Sequence, residues 1–187
     1  MSDYSLQFAS ETDKLSEVAG QLPTKHRSGC PISISLEIFG DRWSLLIIRD
    51  LMVRGFRTFR EFEQSGEGIS SNILTDRLRK LLASGVITAE AEELDGRRVN
   101  YRLTRKGIDL APVLLELLIW GAEHEETAAP CALLAELAKN RTQVLAETRR
   151  RWEARDLTPL LPHFENSDIG RSPGRTRGPL DRVRRRA

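Results

Sequence analysis

The first residues whose types and spacing suggest chemistry lie between Ser70 and Lys80. Ser70, Ser71, Asn72, Thr75, Asp76, Arg77, Arg79 and Lys80 bring hydroxyl, amide, carboxylate and cationic groups into about three helical turns. Groups of this kind read nucleic-acid bases. An Asn amide can pair with adenine, an Asp carboxylate can accept from cytosine, and a cation can reach a base or a phosphate. Other chemistries find less support. There is no paired-carboxylate spacing, nucleophile elbow, phosphate loop or metal cluster. Cys30 and Cys131 are far apart and fit no ligand pattern, and His26, His124 and His163 are scattered. The expectation is a protein that is not an enzyme and carries no cofactor or metal.

The polar groups alternate with Ile69, Ile73, Leu74, Leu78, Leu81 and Leu82, which recur at helical spacing and define one apolar face. Ser70 is a suitable N-cap, and Gly85 stops the helix. Upstream, Thr58-x-x-Glu61 is a capping-box pattern opening a short helix with Phe59 and Phe62, followed by a turn at Gly66 and Gly68. The two helices and their turn read as helix-turn-helix. Downstream, Val86 to Leu94 and Val99 to Thr104 alternate around Asp95-Gly96, good hairpin turn chemistry, with Arg97 and Arg98 beside the tip. The fold class is mainly α with a small β-hairpin, a winged helix-turn-helix. Its second helix suits a DNA major groove, and its wing can reach the neighbouring backbone.

The flanks supply core and partners. Residues 1–29 form a polar N-terminal arm, either loosely attached or packed on a partner subunit. Cys30-Pro31 opens a short helix with Ile32, Ser35, Leu36 and Phe39, ended by Gly40. Asp41 is the expected N-cap of a second helix whose buried stripe is Trp43, Leu46, Ile47 and Leu51. After the hairpin, a helix from Ile108 to about Glu125 is apolar nearly all round, and so needs burial on both sides. In a chain of 187 residues a second copy is the simplest partner for it. The winged-helix and dimerisation domain thus spans 30–125. Residues 126–155 read as one additional C-terminal helix that either extends the dimer contact or covers the domain in cis. Residues 156–187, rich in Pro, Gly, Ser and Arg, favour disorder.

Apolar residues make up 40% of the chain and charged ones 30%, with no apolar run long enough for a membrane and no secretory pattern at the start. A cytoplasmic protein with reduced thiols is the expectation. The net charge of +2 is uneven. Residues 171–187 hold seven arginines and one aspartate, which leaves the other 170 residues at −4. DNA binding must therefore come from local patches. The arginine-rich tail either adds sequence-independent attraction to DNA or is a plain disordered end.

Seven fragments occur in register between Cys30 and Glu125. They are Cys30-Pro31; Gly40-Asp41-Arg42-Trp43 with Leu46 and Ile47; Arg57-Thr58-Phe59-x-Glu61-Phe62; Gly68-Ile69-Ser70 with Leu74-Thr75-x-Arg77-Leu78-x-x-Leu81; Gly85-Val86-Ile87; Arg98-Val99-x-Tyr101-x-Leu103-Thr104; and Gly107 through Trp120-Gly121. Together they resemble the HxlR-type winged-helix transcriptional regulators, related to the MarR group. The resemblance implies a DNA-binding regulator, such as a repressor, acting as a homodimer on a double-stranded operator. It also implies dimerisation through the first helix and the long helix after the wing. Some members sense electrophiles or oxidants through a cysteine at the position of Cys30, so an electrophile, an oxidant or a small molecule is the implied kind of effector. The other reading of Cys30 is a partly buried interface residue. The chain departs from the pattern in its long arm, in the sixty or so residues after Glu125, and in the Asp95-Gly96-Arg97 wing tip.

On this basis Ser70, Ser71, Asn72, Thr75 and Asp76 line the base-reading end of the helix, with Arg79 near bases or phosphate. Arg57 and Thr58 are expected at phosphate, and Arg97 and Arg98 at the backbone or minor groove. Arg77 and Lys80 are either a solvated face or bridged to Glu61 or Glu63. Glu92 and Glu93 near the wing would repel phosphate. The competing class is a winged-helix module that binds protein instead of DNA, which a polar, cationic helix face disfavours.

Overall fold

The computed structural model describes residues 26–91 and 98–161. Helix α1, Pro31–Phe39, begins on a proline whose missing N–H costs nothing in a first turn, and ends on Gly40. Helix α2, Arg42–Arg49, is capped as expected: the Asp41 carboxylate accepts from the Trp43 and Ser44 main-chain N–H groups at 3.1 and 3.0 Å. The helix then widens into a π-helical turn, Asp50–Arg54, closed by Gly55 in the left-handed region at φ 76°. Helix α3, Phe59–Glu63, carries the full capping box of Thr58 and Glu61. Helix α4, Ser71–Ala83, starts on Ser70, whose hydroxyl accepts from Ile73 N.

Strands β1, Ile87–Ala91, and β2, Val99–Leu103, pair antiparallel from Ile87 opposite Leu103 to Ala91 opposite Val99. The wing tip, with Glu92, Glu93, Asp95, Gly96 and Arg97, lies outside the described residues. The hairpin is anchored to the start of α3: Tyr101 N donates to Arg57 O at 2.7 Å, and Thr58 bridges to Asn100.

The helix expected from Ile108 is two. A single turn, α5, Arg105–Ile108, is capped by Thr104, and α6 runs Ala111–His124. Pro112 explains the break, because it has no N–H to bond the Ile108 carbonyl four residues back. The single helix expected over 131–155 is also two. Helix α7, Cys131–Lys139, and α8, Arg141–Glu153, meet at Asn140, which leaves helical geometry at φ −110°, ψ 31°. Asn side chains compete for local main-chain groups and so favour such junctions. The C-terminal part covers the domain in cis: Trp152 Nε1 donates to Leu103 O at 2.8 Å, and Arg102 Nη2 donates to Trp152 O at 2.7 Å. Residues 156–161, read from composition as disordered, are docked as well, with Leu160 N donating to Val53 O at 2.8 Å.

Among the described residues, two apolar clusters result. The larger joins α2, α3, α4 and the hairpin around Ile48, Phe62, Leu74, Leu78, Leu81, Ile87 and Tyr101, all 2% exposed or less. Each such side chain contributes roughly 1.5–3 kcal/mol on burial. The smaller joins α6 to α7 and α8 through Leu115, Ile119, Leu134 and Leu137.

Candidate nucleic-acid interface

Leu74, Leu78 and Leu81 are sealed in the core, which determines the direction α4 presents outward. At 100° per residue, Asn72, Asp76 and Arg79 stand on the opposite side, and all three are exposed. Thr75 is half-buried at the edge of that face. Ile73, counted from periodicity with the buried face, is 38% exposed because it lies about 100° from Leu74.

Several groups on or beside the outward face have partners within the chain. Ser71 Oγ donates to the Glu63 carboxylate, so one expected base-reading hydroxyl is tied to α3. Arg77 Nη1 pairs with Asp76 at 2.6 Å, and Arg77 Nε lies 2.9 Å from Asp41 Oδ1. The second contact is coulombic, since Nε has no hydrogen-bond partner in that geometry. Arg77 thus fastens α4 to the N-terminus of α2, in place of the solvated face or the bridge to Glu61 or Glu63 that the sequence leaves as alternatives. At Asp41 burial pushes the carboxyl up, but the Ser44 hydroxyl and N–H and the charge of Arg77 prevail and hold it below its ordinary value.

The expected phosphate contacts at the start of α3 are corrected. The Arg57 guanidinium turns inward, with Nη1 donating to Leu51 O at 2.7 Å and Phe56 O at 2.6 Å. Burial lowers its pKa, and nearby Arg102 lowers it further. Thr58 Oγ1 donates to Glu61 Oε2 at 2.9 Å, and the same carboxylate oxygen accepts from Arg57 N and Thr58 N at 2.8 and 2.7 Å. The helix end that would meet phosphate is already occupied by a carboxylate. Both residues join the hairpin to α3 and so position the wing. Sequence could not show this, because the Arg57 acceptors are main-chain carbonyls of a turn whose shape the side chains do not encode.

At the wing, Arg98 is exposed just before β2, and Arg97 lies outside the described residues. Tyr101, directly behind, is buried against Phe62 with ring centroids 6.1 Å apart, and burial pushes its hydroxyl up to about 12. Cys30 is an exposed free thiol at the start of α1. Its neighbours His26 and Arg27 engage Glu37: His26 Nδ1 lies 3.0 Å from Oε2, and Arg27 N donates to Oε1 at 3.1 Å. Ile32 and Leu36 on α1, and Val113, Leu117 and Trp120 on α6, are large apolar residues 43–71% exposed. They lie on the two helices expected to carry the subunit contact.

A capped helix pair, an outward polar second helix and a two-stranded hairpin define a winged helix-turn-helix protein of the MarR-like kind. Residues 38–129 match the model of the HxlR-like helix-turn-helix family. The HTH-type transcriptional regulator YybR of Bacillus subtilis, itself uncharacterized, is 30% identical over 101 residues, 54% of this chain and 80% of YybR. YdeP of the same organism, described in the same terms, is 34% identical over 98 residues, 52% of this chain and 76% of YdeP. The crystal structure of PA1607 superposes with a TM-score of 0.50 at 39% identity, covering 55% of this chain and 70% of that one. The chain belongs to the HxlR-like helix-turn-helix family of transcriptional regulators.

Proposed function

We propose that this protein is a sequence-specific regulator that binds an operator as a homodimer. The observation that carries this reading is the face of α4 opposite Leu74 and Leu78, where Asn72, Asp76 and Arg79 are held outward by a sealed core. Asn72 and Asp76 read base edges, Thr75 and Ser71 support them, and Arg79 contacts a base or phosphate. Ser70 caps the helix and points its free N–H groups at the backbone. Arg97 and Arg98 hold the wing to phosphate or the minor groove. The apolar stripe of Ile32, Leu36, Val113, Leu117 and Trp120 is the subunit contact, which sets two α4 helices at one separation. Modification of the Cys30 thiol beside that contact alters the dimer and with it DNA affinity.

Gel-shift titration on the chain's own upstream region tests the reading. Asn72→Ala should cost about 1–3 kcal/mol on the preferred sequence and relax preference at one position. Arg97→Ala with Arg98→Ala should weaken binding to all sequences and lower the salt slope by about one for each phosphate that is no longer neutralised. Wild-type protein that retains no DNA fragment would return the protein-binding module as the better reading. Release by a thiol-reactive electrophile that persists in Cys30→Ser would place the signal elsewhere.

A further inference from the structure

A cavity of about 960 Å³ lies between α2 with its π-turn, α6, and the C-terminal segment from α7 to Leu161. Two of its walls come from the family-matched region, and the third, which includes Leu133, Leu137, Val144 and Leu145, lies beyond residue 129. Among the described residues, the outward face of α4 and the hairpin contribute none of its lining. Its volume is at the upper end of the roughly 300–1,000 Å³ of small-molecule pockets, and more than half of its lining residues are Leu, Val or Met, with charged and polar side chains among them. We propose that this cavity is a binding site for an uncharged, apolar or aromatic small molecule.

The wall favours a small molecule over a second copy of the chain. Of the five exposed apolar residues on α1 and α6, only Leu117 borders the cavity. The other apolar lining side chains are half-buried or buried, so they are recessed below the rim and do not form a raised stripe that a helix could grip. The charged groups of the wall favour a neutral ligand. Arg49 pairs with Asp50 at 2.7 Å and Glu67 at 2.8 Å, and Arg54 pairs with Asp50 at 3.3 Å. Arg151 pairs with Glu147 at 2.8 Å. A charged ligand entering among these pairs would be desolvated beside groups that already have partners, which is costly. The wall's other two charges are exposed, Arg42 lying over the Trp43 ring and Glu136 accepting from Asn140. Gln143 and Asn140 on the wall can orient a hydroxyl or carbonyl.

The position also suggests what occupancy does. Helix α2 lines the cavity with Arg42, Leu45 and Arg49, and at its N-terminus Asp41 faces Arg77 of α4. Helix α6 lines it with Leu114 and Leu118 and carries the outward apolar stripe. A ligand wedged between them bears on both the recognition helix and the subunit contact, provided it prefers one arrangement of those helices over another. This effect on DNA rests on the proposed regulatory function, whereas the binding site itself does not.

Fluorescence titration of the full chain with the neutral probe N-phenyl-1-naphthylamine tests the site. Saturable binding of one probe per chain is expected, with affinity at least about tenfold lower in Leu118→Trp and Val144→Trp, which fill the cavity. Circular dichroism melts show whether each variant is folded, and Leu145→Phe, which adds less bulk, replaces either one that is not. An anionic analogue, 1-anilinonaphthalene-8-sulfonate, is expected to bind at least about tenfold more weakly than the neutral probe. Absence of saturable binding, or equal affinity in folded, filled variants, would overturn the site, and equal affinity for the anion would overturn the neutral ligand class. Saturating probe should change retention of the upstream DNA by about fivefold or more. Unchanged retention overturns the effector role. Failure to bind DNA without probe overturns the regulatory function and leaves the cavity standing.

Discussion

The winged domain and the C-terminal segment are built from similar leucine-rich helices, yet they pack differently. In the winged domain Ile48, Leu74, Leu78 and Leu81 have no exposed surface, and Tyr101 and Phe62 close the gaps between helix and hairpin. Within α7 and α8 the best-covered leucines, Leu134 and Leu137, remain 8–9% exposed beside a cavity of about 960 Å³. A helix that must hold three side chains against a groove needs a stiff support, because a small displacement breaks its hydrogen bonds to the bases. A wall that accepts a guest needs room. If the proposed DNA contact and ligand site both hold, these tasks fall to different ends of the chain.

Core truncation is the strongest way to break the comparison. Leu78→Ala should cost about 3–5 kcal/mol, because a sealed site cannot collapse around the void. Leu137→Ala should cost under about 2 kcal/mol, because space already lies beside it. Urea midpoints measure both, and equal costs would remove the distinction between the regions. The seam between them is tested next. Gly55 has φ 76°, and a Cβ there would stand 2.1 Å from the Leu157 carbonyl oxygen. Gly55→Ala should therefore cost at least about 1–2 kcal/mol in backbone strain and detach residues 157–161. Limited proteolysis after Arg155 would report the detachment, and an unchanged cleavage rate would deny that this contact holds the segment. Trp152→Phe removes the donor to Leu103 O and shrinks a ring that packs on the core and faces Arg102, and should cost at least about 1 kcal/mol, read from the thermal midpoint.

The smallest effect concerns the brace between α2 and α4. Asp41→Asn keeps an N-capping oxygen but removes the charge that faces Arg77. The wild-type carboxyl is held below its ordinary value, so its charge-dependent stability is complete above about pH 4 and is lost as pH falls through the lowered folded value. The variant should be less stable than wild type near about pH 7, and the difference should shrink as pH falls below the ordinary carboxylate range. A difference that persists in acid would mean that the carboxylate charge is not what Asp41 supplies.

Much of the fold was legible because it depends on local signals. Asp41, Thr58 with Glu61, and Ser70 cap the helices that their sequence neighbourhoods suggest. The alternation of Val99, Tyr101 and Leu103 correctly places β2. The readings that changed involve long-range or main-chain partners. Arg57 and Thr58 looked like phosphate ligands by type and position, but their polar atoms serve Leu51, Phe56 and Glu61. Arg77 finds Asp41, thirty-six positions away, in place of the nearer glutamates.

What the sequence alone determined is the periodic and capped architecture: the amphipathic α4, its helix-turn-helix partner, the hairpin, and the surplus of apolar surface on α6. Those properties follow from side-chain spacing along one element, and each element carries them wherever it sits. The tertiary structure decided which charges are paired within the chain, how the C-terminal helices fold back onto the domain, and that a cavity opens where α2, α6 and that segment meet. The reason is physical. Pairing and empty space are properties of distances between elements, and the packing that sets those distances depends on all of their surfaces at once.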